Sequence, residues 1–441
     1  MKKLKGKKQL ILYGCSGLGV NMMNIIMGSY LCSALLTGGF VEHIESWTYL
    51  NRDLVIAGVW MVFAFLAKAL DGIIDLPFAA LADNLKSRFG RRKTAILMGF
   101  VPMVIAYVLF LVPLDKSATL LNTVWFGVLL CLFYTAYTLT MLTYYATFSE
   151  VTDNERDTVF LSNTKSICDV VYFSLAFALI PVFVSLGVNI RIVALIFLPL
   201  ALSMMIPMFL LKESESDSDA AERPKPLTLA RALSCSFKNK AFMYWMCLYF
   251  VMTVGLQLFL GGINELFSST GLNMTFVMAS SFAPVPLTLI LYNAVVKKHG
   301  LAVAFRYTLV IFSVGMMIMY LCSACADMLT DLHLTLIAIF GGIMVSFSLG
   351  AFFSVPYTIP TNLAQRELER TGNSVSSMYF AVDGLFGGVA SGVATGVILV
   401  ALKAINTISL LPIIVTVCMM ISFVMTFFLP EEVKGIGRDR K

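Results

Sequence analysis

The sequence contains few charged residues. Asp, Glu, Lys and Arg make up 13% of its 441 residues, about half of the roughly 25% that is typical of soluble domains. Hydrophobic residues make up 59%. Because so little polar surface cannot coat a water-soluble particle, we expect a lipid bilayer to surround most of the chain. A nucleic-acid partner is not expected.

Residues that build metal and catalytic centres are scarce or scattered. The nine cysteines lie mostly inside apolar runs, and His43, His299 and His333 have no second His or Cys at metal-ligand spacing. The cysteines are therefore interpreted as small apolar fillers. Since no Ser/His arrangement shows catalytic spacing, we expect neither an enzyme nor a cofactor.

Long hydrophobic runs dominate the sequence. A membrane-spanning helix needs ~20 mostly apolar residues, and twelve segments meet that requirement. Their approximate limits are 10–36, 54–82, 94–114, 121–148, 158–186, 190–211, 241–268, 274–296, 306–325, 333–361, 375–402 and 408–429. Because lipid offers no partner for backbone N–H and C=O groups, these segments must be helical. The predicted fold class is an all-α integral membrane protein with twelve transmembrane helices.

A polar stretch near the middle divides these spans six and six. Residues 212–240 contain ESESDSD and ERPKPLT, whose serine, acid and proline are typical of a linker. The predicted organisation is a six-helix bundle over 1–211, a cytoplasmic linker over 212–240, a second six-helix bundle over 241–429 and a cytoplasmic tail over 430–441. The basic start MKKLKGKK precedes an apolar run that is too long for a cleaved signal peptide, so that run is taken as the first span.

The distribution of basic residues predicts the orientation. If both termini lie on one side, that side holds the great majority of the 32 Lys and Arg residues, and the other side holds Arg52, Lys116, Arg191 and Lys403. The positive-inside rule then places both termini in the cytoplasm. We therefore expect a multi-pass protein of the cell membrane, present as a monomer.

The two halves show a weak internal repeat. Thr143-Tyr144-Tyr145 matches Pro356-Tyr357-Thr358, and Arg88-Phe89-Gly90 matches Lys298-His299-Gly300. In both halves the short basic loop joins the second and third spans. Chance similarity between apolar helices is the alternative, but the equal span counts favour a repeat. Six-span repeats of this kind place the substrate site between the halves, near the midplane.

Two acids in the second span are the strongest functional signal. Asp71 and Asp75 are four residues apart and share one helix face with Lys68. Two ionised carboxylates one turn apart repel each other, and a bound Na⁺, Li⁺ or H⁺ relieves that repulsion. Lys68 is predicted to compensate one acid when the cation is absent, and Pro77 to free backbone carbonyls that could also bind the cation. The alternative is a structural Asp75 beside an ordinary Lys68–Asp71 ion pair.

Other ionisable and polar residues inside spans are weaker candidates. Lys165 and Asp169 are an i,i+4 pair, which either neutralises itself or lets Lys165 answer Asp71 or Asp75. Asp383 in the eleventh span is expected to face the central cavity, where it could take a proton, pair with Lys165 or contact the solute.

In the seventh span, Gln257 and Asn264 either line a polar cavity or join helices by hydrogen bonds. For Glu265, near the end of that span, an interfacial position is as plausible as a function.

The basic loop after the second span is a candidate cytoplasmic gate. An ion pair between Asp83 and Arg88 or Arg91, present only when the cytoplasmic side is closed, would gate a transport cycle. Gly90 and Arg156 are assigned to the same gate. The alternative is that these charges only set the membrane orientation.

At these residues the chain resembles the major facilitator superfamily, and more closely its glycoside–pentoside–hexuronide:cation symporters. The strongest part is the pattern Lys68-x-x-Asp71-x-x-x-Asp75-x-Pro77 followed by Arg88-x-Gly90-Arg91. Weaker matches are Tyr13-Gly14 with Gly19 and Asn21, then Tyr144 through Glu150 with Asp153 and Arg156. The resemblance implies two pseudo-symmetric six-helix bundles, alternating access, and a cation site formed by Lys68, Asp71 and Asp75.

Several positions depart from that family and bear on the solute. Asn21 stands where the sugar transporters usually carry an aspartate, Met141 replaces a second sugar-binding aspartate, and Asp383 replaces a lysine. Lys165 lies near the family's fifth-span arginine. The resemblance implies a small organic solute, a glycoside or related sugar, while a lysolipid transporter or a non-transporting sensor are the alternatives. The candidate cavity residues are Asn21, Tyr145, Asp383, Gln257 and Asn264.

Overall fold

The structure is a computed structural model whose described part contains helices and no strands. The described residues are 4, 6–40, 44–75, 77–78, 81, 85, 87, 89–152, 155–211, 237, 239–268, 274–325, 328, 330–371 and 376–434. Most of the expected linker at 212–240 lies outside them.

Six long helical segments form the first half of the chain. They are α1 (Lys7–Leu35), α2 (Ala57–Ile73), α3 (Arg91–Phe110), α4 (Leu120–Ala146), α5 (Glu155–Ser185) and α6 (Ile190–Leu210). Short helices lie at Ile44–Trp47 and Phe148–Val151. Helix α1 is irregular, because it passes through a 3₁₀ turn at Cys15–Gly17 and a π-helical stretch at Ile26–Leu31.

Six further segments form the second half. They are α7 (Lys240–Ser268), α8 (Met274–Phe282 and Val285–His299), α9 (Leu301–Ala324), α10 (Asp331–Thr371), α11 (Ser376–Ser391, continuing to Ala404) and α12 (Leu411–Phe427). Helix α11 also contains a π-helical stretch, Gly392–Ile398. A short helix, Glu431–Lys434, follows α12.

These segments coincide with the twelve predicted spans to within a few residues at most boundaries. Eleven of them, among the described residues, are long and apolar enough to cross a membrane. The remaining one, α2, has 17 residues, and its predicted span to residue 82 runs into positions outside the description. Helix α10 continues to Thr371, past the predicted end at 361. Its last turns, NLAQRELERT, are polar, so hydropathy gives no sign of a helix that continues beyond the apolar segment.

Large apolar side chains are exposed along many of these helices. Examples are Val62 (56% exposed), Leu121 (63%) and Phe209 (80%). A soluble monomer rarely exposes extended apolar patches. The exposed faces therefore fit a protein whose helices contact lipid, as the composition predicts.

The described chain clusters into two compact units. Unit 1 comprises Met1–Leu35, Glu45–Ala176 and Phe183–Pro226, and within it α1 packs on α6, and α2 and α3 pack on α4. Unit 2 comprises Leu36–Ile44, Phe177–Val182 and Leu227–Lys441, and within it α7 packs on α12, and α8 and α9 pack on α10. The same helix pairs, counted from the start of each half, are thus in contact.

The two matched basic loops also end in the same backbone conformation. Gly90 has φ 96° and ψ 147° immediately before α3, and Gly300 has φ 88° and ψ 161° immediately before α9. This region of backbone space is essentially restricted to glycine. The correspondence of Arg88-Phe89-Gly90 with Lys298-His299-Gly300 therefore extends from sequence to local structure, which supports the internal repeat.

Replacing either loop glycine with alanine is expected to destabilise the protein. Gly90→Ala and Gly300→Ala should each cost about 1–3 kcal/mol of folding free energy, because a side chain strains this conformation. Thermal melting in detergent, followed by size-exclusion chromatography, measures the loss. Gly58→Ala is the control, since that glycine is helical and has nothing within 4 Å of an added Cβ. Melting temperatures equal to the control would contradict the expectation.

Candidate functional site

The charged face of α2 packs against a polar stretch of α4. Thr138 Oγ1 donates a hydrogen bond to Asp71 Oδ1, and the Lys68 Nζ atom lies 3.9 Å from the centroid of the Tyr134 ring. Tyr134 and Thr138 are one helical turn apart on α4, as Lys68 and Asp71 are on α2. Two contacts thus join α2 and α4: Tyr134 contacts the Lys68 ammonium group, and Thr138 contacts the Asp71 carboxylate.

Lys68 is held by an aromatic ring rather than by a direct ion pair. Its ammonium interacts electrostatically with Asp71, but among the described residues it has no carboxylate within ion-pair distance. Its position over Tyr134 is a cation–π contact. The expected alternative of an ordinary Lys68–Asp71 ion pair is therefore absent, and Asp71 is left with a neutral hydroxyl as its hydrogen-bond partner.

The π-helical part of α1 lies against the same two side chains. A Cβ atom at Gly28 would lie 2.9 Å from Tyr134 Oη and 3.7 Å from Lys68 Nζ. The Tyr134 hydroxyl is buried and has no hydrogen-bond partner in the described part of the chain. Buried polar groups are normally hydrogen-bonded. The space beside this oxygen is therefore a hydrogen-bonding position that no group of the described residues occupies.

Asp75 follows a local irregularity of α2. The regular helix ends at Ile73, and the backbone N–H of Ile74 donates to Leu70 O at 2.9 Å. Pro77 has no N–H with which to continue the ladder to Ile73. Asp75 is half-buried, close enough to Asp71 to interact with it electrostatically. Among the described residues it has neither a hydrogen bond nor an ion pair.

The polar surface continues from α4 to α1 through Asn21. The Tyr137 hydroxyl donates to Asn21 Oδ1 at 2.9 Å, and Asn21 is only 4% exposed. Tyr137 directly precedes Thr138 in the sequence. Helices α1, α2 and α4 of unit 1 thereby share one polar region that runs from Asn21 to Asp75.

This arrangement suits a small hard cation. Carboxylate, hydroxyl and carbonyl oxygens are the ligands such cations prefer, and Asp71, Asp75 and Thr138 supply the first two kinds. Lys68 stands beside Asp71 as an internal positive charge. A cation that binds between Asp71 and Asp75 would therefore compete with the Lys68 ammonium group, which already offsets part of the repulsion between the two carboxylates.

The fifth helix carries a separate charged pair. Lys165 Nζ lies 2.5 Å from Asp169 Oδ2 and 4.8 Å from the centroid of the Tyr145 ring. The two side chains are 23% and 28% exposed. The expected pairing of Lys165 with Asp169 is present in the structure. Tyr145, a predicted cavity residue, contacts the same Lys165 ammonium group.

Two weakly matched sequence motifs meet in unit 1. Tyr144 Oη donates to Tyr13 O at 2.5 Å and to Gly14 O at 3.2 Å, and the Tyr13 hydroxyl is hydrogen-bonded to Thr147. The Tyr13-Gly14 motif of α1 therefore contacts the motif that begins at Tyr144. These contacts are buried, so they fix the packing of α1 on α4.

Asp383 is buried in the second half, and among the described residues no basic group lies within ion-pair distance of it. It is 8% exposed, and its Oδ1 atom has no hydrogen-bond partner among the described residues. Tyr379 and Gly387 lie one turn to either side on α11. Tyr379 accepts a hydrogen bond from Asn239 at 2.8 Å, and an added Cβ at Gly387 would lie 2.8 Å from Tyr249 Oη. The face that carries Asp383 therefore packs on α7.

The remaining seventh-span residues differ in burial. Gln257 is half-buried and Asn264 is fully buried. Glu265 is also fully buried and forms an ion pair with Lys403 at 2.8 Å. Glu265 is therefore enclosed by protein and paired across α7 and α11, rather than exposed at a helix end. Hydropathy missed the pair because its two members lie in different spans, where each looks like a lone charge near a helix end.

The candidate cytoplasmic gate is only partly described. Asp83 and Arg88 lie outside the described residues, and for Arg156 only the backbone lies within them. Gly90 immediately precedes α3, and its N–H donates to Ser87 O at 3.2 Å. Arg91 occupies the first turn of α3. The predicted gate ion pair therefore stays a prediction.

Sequence reasoning missed the contribution of α4. Tyr134, Tyr137 and Thr138 contact Lys68, Asn21 and Asp71, whereas the sequence patterns in the fourth span point to Met141, Tyr144 and Tyr145. The signal available was the segment Tyr-Thr-Ala-Tyr-Thr at 134–138, which puts four hydroxyl groups inside an apolar span. Which hydroxyl faces the acids depends on how α4 is rotated, and this is fixed only by packing.

The sequence matches one protein family over nearly its whole length. A family model described as MFS/sugar transport protein matches residues 12–430. The chain belongs to the major facilitator superfamily. No curated protein sequence matches the chain closely enough to count as a relative.

Solved structures of transporters share the fold of this major facilitator protein. The nucleoside transporter NupG gives a TM-score of 0.64 at 14% identity, covering 96% of this chain and 98% of that one. A POT family transporter in complex with 5-aminolevulinic acid gives 0.66 at 12% identity, over 98% and 99%. Another POT family structure, with a thioalcohol conjugated peptide, gives 0.64 at 13% identity over 97% of both chains. At these identities the likeness shows the fold alone.

These comparisons confirm the predicted superfamily and fold. The chain is an all-α, multi-pass membrane protein with the two six-helix bundles of the major facilitator fold. It is a secondary transporter of small molecules, and family and fold point away from an enzyme.

Thr138→Val is expected to destabilise this major facilitator protein. It removes the hydrogen bond to Asp71 while keeping the side-chain shape, and a buried acceptor left unpaired costs about 1–3 kcal/mol. Thermal melting in detergent measures the effect. Thr140→Val is the matched control, because Thr140 Oγ1 bonds only its own helix at Ala136 O, 2.8 Å away. Equal melting temperatures of the two variants would show that the Thr138–Asp71 contact contributes nothing.

Proposed function

We propose that this protein is a cation-coupled symporter of a small organic solute. The observation that carries the proposal is the pair Asp71 and Asp75 in a membrane-spanning helix, with Lys68 in direct contact with an aromatic ring and with neither acid. A charge inside a bilayer costs at least ~2.5–3.5 kcal/mol unless it is compensated. A co-transported cation, Na⁺, Li⁺ or H⁺, supplies that compensation.

Coupling follows from the electrostatics of the acid pair. Without a bound cation, two neighbouring carboxylates carry more negative charge than Lys68 offsets, and enclosing them is unfavourable. With a cation bound, the site becomes close to neutral and can be enclosed. A transporter that must enclose this site before it changes its accessible side therefore cannot carry its solute across unless a cation is bound.

A glycoside or related sugar is the proposed solute. Support comes from the family description, MFS/sugar transport protein, and from the family resemblance of the acid motif. In unit 1 the hydroxyl and amide of Tyr137 and Asn21 lie beside the cation site, and sugars are recognised by such groups. Asn21 already accepts from Tyr137, so its amide N–H₂ group is the part suited to a sugar hydroxyl.

The proposed location is the cell membrane, with both termini in the cytoplasm and the protein acting as a monomer. The basic residues between α2 and α3 and between α8 and α9, including Arg91, Lys297 and Lys298, support this orientation. In that orientation the loops after α1 and α11 face the outside.

The deciding experiment combines ligand binding with transport. A thermal-shift screen of sugars and lysolipids, with and without Na⁺, identifies ligands because binding to the native state raises apparent stability. Uptake of each ligand found is then measured in proteoliposomes with an imposed cation gradient. Gradient-driven sugar accumulation supports the proposal. Binding without uptake favours a sensor, and accumulation of lysolipid alone refutes the sugar assignment.

Asp75→Asn is expected to abolish cation-driven accumulation in proteoliposomes while leaving solute exchange measurable. The amide keeps the shape but removes the charge that a cation would neutralise. Asp115→Asn serves as the control, because Asp115 lies in the short loop between α3 and α4 and bonds the neighbouring Lys116 N–H. Undiminished accumulation by Asp75→Asn would remove Asp75 from the coupling role.

Asp383→Asn is expected to change solute affinity or the pH dependence of uptake. The reason is that Asp383 Oδ1 is buried and has no hydrogen-bond partner among the described residues, so the charge state of this carboxyl group depends on the solute or proton that approaches it. Uptake rates over a range of pH and solute concentration measure both quantities. If neither the half-saturating concentration nor the pH profile differs from wild type, Asp383 has a structural role only.

A further inference from the structure

A buried ion pair lies near the C-terminal ends of α7 and α11. The Nζ atom of Lys403 donates to Glu265 Oε1 at 2.8 Å, and the two side chains are 2% and 0% exposed. The second carboxylate oxygen, Glu265 Oε2, is buried and has no hydrogen-bond partner among the described residues. Burying this ion pair away from water gains little free energy. Water would hydrate both charged groups and would also bond to the unpartnered Oε2 atom.

A turn from the first half of the chain covers this ion pair within unit 2. The turn is closed by the Phe40 N–H, which donates to Thr37 O at 3.1 Å. The Lys403 Nζ atom lies 4.7 Å from the centroid of the Phe40 ring, and Phe40 is 5% exposed. The aromatic ring thus supplies a cation–π contact in place of water.

Two glycines allow the turn to come this close. A Cβ on Gly38 would lie 2.3 Å from Lys403 O, and a Cβ on Gly39 would lie 2.8 Å from Glu265 Cβ. Gly39 also has φ +88°, a conformation that side chains disfavour. The backbone of Gly38–Gly39 therefore fills the space through which water would otherwise reach the ion pair.

We propose that the turn Thr37–Phe40 is a latch that seals the Glu265–Lys403 pair in this state of the protein and releases it to water during the transport cycle. Docking is favoured by the close backbone fit and the Phe40 ring. It is opposed by hydration of the ion pair. Because these contributions are of opposite sign, they partly cancel, and the closed latch is favoured by less than its packing contacts alone would give, so that it can open reversibly. The latch goes beyond the proposed cation coupling, and only its part in the cycle rests on the protein being a transporter.

The reactivity of the Lys403 amine tests the latch directly. Purified full-length protein in detergent is treated with an acetylating N-hydroxysuccinimide ester, and mass spectrometry follows each lysine. Lys116, which is exposed, is the internal reference. We expect Lys403 of the wild type to react at least tenfold more slowly than Lys116. Equal rates would mean that the pair is not sealed, and would overturn the proposal.

Gly39→Ala is expected to raise the Lys403 reaction rate at least fivefold, because the added Cβ prevents the turn from docking. Gly187→Ala is the matched control: Gly187 has φ +84° but nothing within 4 Å of an added Cβ. It carries the same backbone strain without the clash, so Lys403 should react as in the wild type. A Lys403 rate in Gly39→Ala equal to that of the control would refute the latch.

Phe40→Ala provides a second variant without backbone strain, and decides the question if Gly39→Ala does not fold. It should also expose Lys403 at least fivefold, and an unchanged rate would overturn the proposal. Solute exchange in proteoliposomes tests the part in the cycle: exchange by the variants should fall at least threefold, and wild-type exchange with fast Lys403 labelling would contradict it. Labelling in detergent needs no transport, so a failure of cation coupling leaves the sealing test intact.

Discussion

Charge buried among membrane-spanning helices must be compensated inside the protein, because lipid supplies neither counter-ions nor hydrogen bonds. This constraint accounts for the arrangement of most ionisable side chains in the described spans. Lys165 is answered by Asp169 on its own helix, and Glu265 by Lys403 across two helices. The second-span acids and Asp383 are exceptions. Asp71 receives one hydroxyl group, and Asp75 has no partner among the described residues. Two neighbouring acids left without a basic ion-pair partner among the described residues are suited to an exchangeable cation.

The helices around that acid pair are irregular where the polar groups lie. Helix α1 becomes π-helical at Ile26–Leu31, where Gly28 approaches Lys68 and Tyr134, and the continuous part of α2 ends at Ile73, two residues before Asp75. Such irregularities place backbone groups and side chains where a straight helix would not, and π-helical turns are frequent at functional sites. The contacts between α2 and α4 then hold Lys68 and Asp71 at fixed positions. Local irregularity and rigid packing together produce a polar region in an apolar bundle.

The two halves of the chain share the same helix contacts but carry different charged residues. The contacts of α2 and α3 with α4 recur as contacts of α8 and α9 with α10, and Gly90 and Gly300 precede α3 and α9 in the same conformation. The charges do not follow this repeat. Unit 1 has the acids of α2, whereas unit 2 has the buried Asp383 and the buried Glu265–Lys403 ion pair. A shared backbone therefore carries a candidate cation site in one unit and a candidate latch in the other.

The sequence by itself determined the helical fold, the number of spans and the acid motif, because apolar length and the spacing of charges are local properties that need no knowledge of neighbouring helices. It also predicted that Lys68, Asp71 and Asp75 share a face. Only the tertiary structure decided what that face meets. The rotation of α4 selects Tyr134 and Thr138 among several hydroxyl groups, and the pairing of Glu265 with Lys403 joins residues far apart in the chain. Such contacts depend on how helices pack, and packing is a property of side-chain shape in three dimensions rather than of order along the chain.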